Sequence, residues 1–249
     1  MTDTEGNIIR KLTGPVSKGI NRIAWDLRYP LPRLAPPPPP ESDEEPEAGP
    51  FVMPGKYRIT LEKRVDGVVT RLAQPREFNV VVPGQASMPV ADRRDLAEFQ
   101  QKVAHLQRVV YGANQIVNEL KTRMGSIKKA LQATPASVDS LMPIAMAIEV
   151  KVNDLSRDLQ GDATLRSRNE NDSPSINERV SKIADDEQLS TWKPTQTNRD
   201  GFELASQDFK NLLGKLKALI QTDLANLEKQ MEAAGAPWTP GRLPTWQDE

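Results

Sequence analysis

Residues 96–131, LAEFQQKVAHLQRVVYGANQIVNELKTRMGSIKKAL, carry apolar side chains in two interleaved sets, each of which repeats every seven residues. One set is Leu96, Val103, Val110, Val117, Met124 and Leu131, and the other is Phe99, Leu106, Ala113, Leu120 and Ile127. Alternating steps of three and four residues place such positions on one face of an α-helix. The stretch therefore predicts a helix over about residues 92–132, roughly 60 Å long at 1.5 Å per residue.

The same repeat returns after Ala133-Thr134-Pro135 and predicts a second helix over about 138–160. Its apolar positions are Val138, Leu141, Ala145, Ile148, Val152, Leu155 and Leu159. Pro143 removes a backbone hydrogen bond from a helix interior, so we expect the helix to start near Met142 or to kink there. Because the repeat resumes after a short break, we expect the two helices to pack antiparallel.

A third apolar stripe predicts a helix over about 200–234, which Gly235 and Pro237 would end. The stripe consists of Phe202, Phe209, Leu212, Leu213, Leu216, Leu219, Ile220, Leu224, Leu227 and Met231. A short helix over 176–186 is an option, and the polar residues 161–175 predict a mobile loop. The sequence from residue 89 onward therefore predicts an antiparallel three-helix bundle that ends in a Pro/Trp tail.

The first 88 residues carry alternating apolar and polar patterns that predict about five short strands, at 7–12, 19–27, 55–62, 68–72 and 77–82. Asp66-Gly67 suits a tight hairpin turn. The gaps are too short for crossover helices, so we expect an antiparallel sheet within a sandwich. Residues 30–54, with Pro36–Pro40 and acidic neighbours, predict a Pro-rich acidic surface loop, and docking of these prolines to a partner is the less favoured interpretation. The predicted fold class is α+β in two parts, with domains 1–88 and 89–249.

Composition excludes several classes of function. The 33 Lys and Arg nearly balance the 34 Asp and Glu, so no net field would attract nucleic acid or an anionic membrane. The absence of cysteine excludes disulfides, thiolate catalysis and cysteine-ligated metals. No run approaches the roughly 20 apolar residues of a membrane span, and Met1–Gly6 does not resemble a secretory signal. Asp3–Asn7 is typical of a turn between strands, so the chain could equally be part of a longer protein.

Three stretches of the N-terminal part carry a resemblance to a known family. They are Asp3–Leu12 (DTEGNIIRKL), Gly19–Tyr29 (GINRIAWDLRY) and Pro54–Leu61 (PGKYRITL). Together they resemble the Ig-like module of flagellar hook-capping proteins, which is also similar to a C-terminal module of bacterial sortilin-type or BNR-repeat β-propeller proteins labelled glycosyl hydrolases. The tail Ala233–Arg242 resembles the end of those proteins. The resemblance implies an Ig-like β-sandwich, and an extracellular or periplasmic location if the parent protein is exported.

The sequence departs from that family in one important respect, because it contains no propeller repeat and no room for blades of about 40 residues. Any hydrolase activity of the family would belong to a propeller outside this chain. We therefore expect a non-catalytic structural or protein-interaction module, the C-terminal part of a larger exported protein whose propeller is one possible partner. The alternative is a carbohydrate-binding or accessory portion of a BNR-repeat glycosyl hydrolase.

No catalytic, cofactor-binding or metal-ligating residue is predicted. His105 is the only histidine and lies beside the heptad seam, so we expect it to be exposed. The pairs Asp185-Asp186 and Glu44-Glu45 are adjacent in sequence, so they cannot face each other across a pocket as glycoside hydrolysis requires. Gly-rich phosphate loops are absent. Trp25 and Tyr57 could form a sugar platform, but their place in predicted strands favours a core role.

Trp238 and Trp246 are the candidate docking residues, because they lie beyond the last predicted helix in the segment PWTPGRLPTW. They either fold back onto the bundle, which we favour, or dock onto another domain. The first helix could also form a parallel dimeric coiled coil. We expect a monomer, because the second helix presents its seam to the first at high effective concentration.

Overall fold

The structure is a computed structural model that describes residues 1–30, 49–84, 88–134, 138–190 and 192–242. Its strands are β1 (Gly55–Ile59), β2 (Glu62–Val65), β3 (Val68–Arg71) and β4 (Arg76–Val80). Its helices are α1 (Val90–Gln132), α2 (Val138–Gln160), α3 (Ala163–Ser167), α4 (Ile176–Leu189) and α5 (Gln196–Ala218), followed by a π-helical turn (Leu219–Leu224) and α6 (Ala225–Ala233). Because 56% of the described residues are helical and the described strands form only two small pairs, the described part of the protein is mainly α-helical and the predicted two-part α+β class is wrong.

The chain divides into two compact units. The first unit comprises Met1–His105 with Ala184–Thr195, and the second comprises Leu106–Ile183 with Gln196–Glu249. Both α1 and α4 contribute residues to each unit. The domains predicted from the sequence, 1–88 and 89–249, are parts of the chain that we expect to fold on their own. They stay a prediction.

The structure confirms the first predicted helix as α1, and the apolar seven-residue repeat lies on its buried face. Every seam position from Phe99 to Leu131 is at most 7% exposed, and only Leu96, at the start, is half-buried. In α2 the positions from Leu141 to Leu159 are buried in the same way, and Pro143 lies inside the helix. Both helices therefore present one continuous apolar face, as the three-four spacing requires.

The third helical segment runs from Gln196 to Ala233 and contains the π-helical turn. Its buried positions are Ala205, Phe209, Leu212, Leu216, Leu219, Leu224, Leu227 and Met231, whose steps are three or four residues except for the step of five from Leu219 to Leu224. A π-helical turn accommodates one additional residue relative to an α-helix. The turn therefore keeps Leu224, Leu227 and Met231 on the buried face.

The core of the second unit joins buried side chains from the latter part of α1, from α2, from the start of α4 and from α5 to α6. The predicted short helix at 176–186 is present as the longer α4, whose Ile176 and Val180 belong to this core. A capping box begins α4, because the Ser175 backbone N–H donates to Glu178 Oε2 at 2.8 Å and the Glu178 N–H donates to Ser175 Oγ at 3.3 Å. The predicted loop 161–175 contains α3, which Asp162 caps.

The predicted Ig-like β-sandwich is wrong. The described residues contain two small antiparallel pairs, β1 with β4 and β2 with β3, instead of two packed sheets. The expected strands at 7–12 and 19–27 form no strand, and only isolated bridges join Thr2 to Ile8 and Arg28 to Phe51. The expected turn is present, since Asp66 and Gly67 both have positive φ, at 50° and 81°. The predicted Pro-rich loop lies largely outside the described residues.

The physical reason is that these strands bury too few side chains to make two inner faces. Every residue of β2 and β3 is exposed, and only Ile9, Val52 and Tyr57 form a buried cluster with the half-buried residues Trp25, Tyr29, Phe78 and Val80. A sandwich needs an apolar layer from both sheets. The alternation that suggested strands is real in β1, where Tyr57 is buried between exposed neighbours, but no second sheet faces it within the described residues.

Candidate docking surfaces

The tail after α6 folds back onto the second unit through a helix C-cap. Gly235 has a φ of 66°, and the Ala236 N–H donates to Met231 O at 2.9 Å. This is the Gly-centred ending that the sequence predicts. Ala236 and Thr239 are buried, so the tail adds side chains to the packed surface as far as residue 239.

Two arginines hold the tail. Arg123 of α1 donates to Glu228 Oε1 at 2.5 Å and to Gly241 O at 3.0 Å. Arg242 pairs with Glu232 and also donates to Pro237 O at 3.3 Å. The side chain of Arg242 is only 5% exposed, and its contact with Glu232 is charge-assisted.

Trp238, one of the two candidate docking residues, contacts Arg242 but remains partly exposed to solvent. The Arg242 guanidinium lies 4.3 Å from the centroid of its ring, while the residue remains 47% exposed. A cation over an indole face stabilises its orientation. The tail therefore presents a fixed aromatic side chain to solvent. Trp246, the other candidate, lies outside the described residues.

A third tryptophan, which the sequence reasoning missed, is the most exposed of those described. Trp192 is 76% exposed and lies in the first unit, between α4 and α5. Its backbone N–H donates to Ser190 Oγ at 3.1 Å, and Ser190 Oγ–H donates back to Trp192 O. The sequence feature that could have identified Trp192 is its place in a short segment before Pro194 that belongs to no predicted helical stripe.

Among its described residues, the first unit exposes more large apolar side chains than it buries. Its buried ones are Ile9, Val52, Tyr57, Phe99 and Val103. Its exposed ones are Ile8, Val16, Ile20, Ile23, Leu27, Phe51, Ile59, Leu61, Val65, Val68, Val69, Leu72, Val81, Val82, Val90 and Trp192. Single exposed apolar residues are common, whereas a contiguous patch of them is typical of interaction surfaces.

Part of this concentration lies on one face of the β2–β3 hairpin. The register pairs Val65 with Val68, and the Leu72 N–H donates to Leu61 O at 2.9 Å. Opposed residues share a face, so Leu61, Val65, Val68 and Leu72 form one face together with Lys63 and Thr70. We call these six residues the hairpin face. Its four apolar members are 53% to 66% exposed.

Two clefts in the described part of the second unit are bounded by charges that compensate each other. A cleft of about 420 Å³ beside the start of α4 is lined by three basic and three acidic side chains, Arg157, Arg179, Lys215, Asp158, Asp172 and Asp208. A second cleft, of about 380 Å³, lies between α2 and the π-helical turn. The Lys151–Asp223 pair at 2.7 Å and the Lys215–Asp158 pair at 3.4 Å lie at its edge. Neither cleft concentrates one sign of charge for an ionic ligand.

The residues weighed for catalysis are not brought together. His105, Asp185 and Asp186 are exposed, and Glu44 and Glu45 lie outside the described residues. Within the described part of the chain, no cluster of three His, Cys, Asp or Glu is arranged to hold a metal ion. Among the described helices, none is long and apolar enough to span a membrane.

Trp25 and Tyr57, the possible sugar platform, instead pack against each other. Their rings meet edge-on with centroids 5.9 Å apart, and both contact Phe78. The Tyr57 hydroxyl donates to Met53 O at 2.5 Å, and burial raises the pKa of Tyr57 to about 12. The hydroxyl therefore stays protonated at neutral pH, and the ring forms part of the small core.

Comparison with known proteins gives no relative to set beside this geometry. No family model, no curated protein and no solved structure matches the chain. The resemblance to propeller-associated Ig-like modules stays a prediction from the sequence.

Proposed function

We propose that the chain is a non-catalytic structural or protein-interaction module, the C-terminal part of a larger exported propeller protein. The observation that carries the proposal is the excess of exposed over buried apolar side chains in the first unit. Leaving such surface in water costs about 25 cal/mol per Å² relative to burying it, so a partner that covers it would gain binding energy. The hairpin face is the part of this surface that is best defined.

The second unit has the properties of a scaffold. Its long helices are joined by a continuous buried core, and ion pairs such as Lys128–Glu149 at 2.6 Å bridge α1 to α2. In one of its clefts, Lys151 pairs with Asp223 and Lys215 pairs with Asp158. In this proposal the second unit holds the tail, and the partner is a folded protein domain, the propeller of the parent protein. The chain by itself is a monomer.

Hydrogen exchange tests the proposal. The chain alone would be compared with a longer protein that includes the polypeptide encoded in frame upstream of Met1. We expect the amides of residues 61–72 to exchange at least about tenfold more slowly in the longer protein, because the hairpin face is covered there. Unchanged exchange at 61–72, or an upstream sequence that encodes no propeller, would contradict the proposal. Residues 138–160, in the helical core, serve as the internal control.

Carbohydrate binding is the second candidate, and the exposed Trp192 and Trp238 favour it. Aromatic rings with one accessible face suit the apolar face of a sugar. A glycan array on the isolated chain separates the two functions. Binding to one sugar class that is lost in Trp238→Ala or Trp192→Ala would support the second candidate, whereas no binding would favour the protein-interaction module.

A further inference from the structure

The register of β1 and β4 determines which backbone groups face away from the sheet. The Thr2 N–H donates to Arg58 O at 2.9 Å, and the Arg58 N–H donates to Thr2 O at 2.8 Å. Arg58 therefore directs its backbone groups away from β4. Because these directions alternate along an antiparallel strand, its neighbour Tyr57 directs its groups toward β4.

The same alternation applies to the partner strand. Phe78 pairs with Tyr57, so Phe78 faces β1, while Glu77 and Asn79 direct their N–H and C=O groups to the opposite side. The described part of the chain places no hydrogen-bond partner on these outward groups. Both residues are exposed. The outer edge of β4 is thus an open row of donors and acceptors.

The edge of β4 lacks two of the devices that usually block further pairing, although the strand is short and carries the charged residues Arg76 and Glu77. It contains no proline, and its register with β1 runs without a bulge from Gly55–Val80 to Ile59–Arg76. Its one acidic side chain, Glu77, is engaged with Arg58 across the strands at 3.0 Å. By contrast, the outer edge of β1 is already occupied at Arg58 by Thr2.

Apolar side chains beside this edge are not fully buried. Phe78 and Val80 are only half-buried against the small aromatic cluster, and Val81, just beyond the strand, is 73% exposed. A strand placed next to β4 would extend the layer that Phe78 and Val80 begin. Such a strand needs apolar side chains at every second position on that face and polar ones opposite.

We propose that the outer edge of β4 accepts an extended strand of about five residues from a partner polypeptide, by β-strand addition. Main-chain hydrogen bonds to Glu77 and Asn79 supply the affinity, and alternate apolar side chains packed beside Phe78 and Val80 supply the specificity. The inference rests on the proposed function, since it names the mode by which the first unit binds a partner.

The test uses the full chain and a labelled peptide. The peptide GKYRITLE, residues 55–62, is a suitable probe because it alternates apolar and polar residues and β4 already pairs with this sequence on its inner edge. Fluorescence anisotropy would measure its binding to wild type, Asn79→Pro and Asn79→Ala. Proline removes the outward N–H and is tolerated at a strand edge, whereas alanine keeps that N–H.

We expect wild type and Asn79→Ala to bind the peptide equally and Asn79→Pro to bind at least about tenfold more weakly. The same peptide with an N-methyl group on every residue should not bind wild type, because one of its two alternating sets of N–H groups must face β4, and this keeps the test decisive if Asn79→Pro fails to fold. Equal binding by Asn79→Pro, binding of the methylated peptide, or no saturable binding to wild type up to about 1 mM would overturn the inference. The exchange experiment at 61–72 stands apart from this one, so a failure at β4 is distinguishable from a failure of the proposed function.

Discussion

Deleting Gln221 tests whether the π-helical turn exists to keep the apolar stripe in phase. Gln221 is exposed and lies between Leu219 and Leu224. Its removal changes the step of five to four, so an ordinary α-helix can continue with Leu224, Leu227 and Met231 still on the buried face. We expect the free energy of unfolding to change by less than about 1 kcal/mol. The Lys151–Asp223 ion pair beside the turn is largely exposed and contributes little.

A deletion elsewhere in the same segment should behave very differently. Removal of Lys210, an exposed residue of α5, rotates one side of the helix by about 100° relative to the other. Three or more large buried side chains would leave the core. They would be either Leu212, Leu216 and Leu219 or Leu224, Leu227 and Met231, each of which is at most 2% exposed in the wild type. Each costs about 2–5 kcal/mol, so the total approaches the whole stability of a typical domain.

Urea unfolding followed by circular dichroism at the helix band measures both deletions. We expect the Gln221 deletion to unfold cooperatively near the wild-type midpoint and the Lys210 deletion to be largely unfolded without urea. The reasoning is refuted if the Gln221 deletion lowers the midpoint as much as the Lys210 deletion. That result would mean that the turn is required in its π form.

Three further outcomes are expected. Trp25→Ala should lower the free energy of unfolding by about 3 kcal/mol, the low end for a core aromatic because the indole is half-buried, and a loss under about 0.5 kcal/mol in urea unfolding would indicate an exposed platform instead. The hydrogen bond from the Ser175 backbone N–H lowers the pKa of Glu178 in the folded protein. The contact therefore stabilises the fold above the pKa of the unfolded state, about 4.3. This stabilisation is lost as the pH falls through the lower pKa of the folded state. Glu178→Gln should therefore cost about 0.5 kcal/mol at pH 7, and the difference from wild type in thermal unfolding should close below about pH 4; a difference that persists in acid would contradict this. Sedimentation equilibrium at micromolar concentration should give the 27.7 kDa monomer mass, and twice that mass would make the chain a dimerisation module.

The helical elements could be predicted from sequence because their signal is local. The seam from Phe99 to Leu131 repeats often enough to define a face, and that face is buried as expected. The stripe in the sequence includes Ile220 between Leu219 and Leu224, so only the structure showed a step of five between buried residues and the π-helical turn that absorbs it. Gly235 ends the helix for a reason that is local as well, its positive φ.

The tail and the strands depended on contacts that no local pattern contains. The engagement of Arg123 with Glu228 and Gly241 joins residues more than a hundred positions apart, so the sequence could not show that Trp238 would be held with its ring partly exposed.

The expected sandwich fails for the same physical reason. An alternating stretch becomes a buried strand only if another sheet covers its apolar face, and short alternations such as 19–27 do not say whether that cover exists. The sequence by itself determined the three long helical segments, their buried faces and the turn at Asp66-Gly67. Only the tertiary structure decided that the strands remain two small pairs with an exposed hairpin face and an open edge at β4, because burial depends on distant partners while helical periodicity does not.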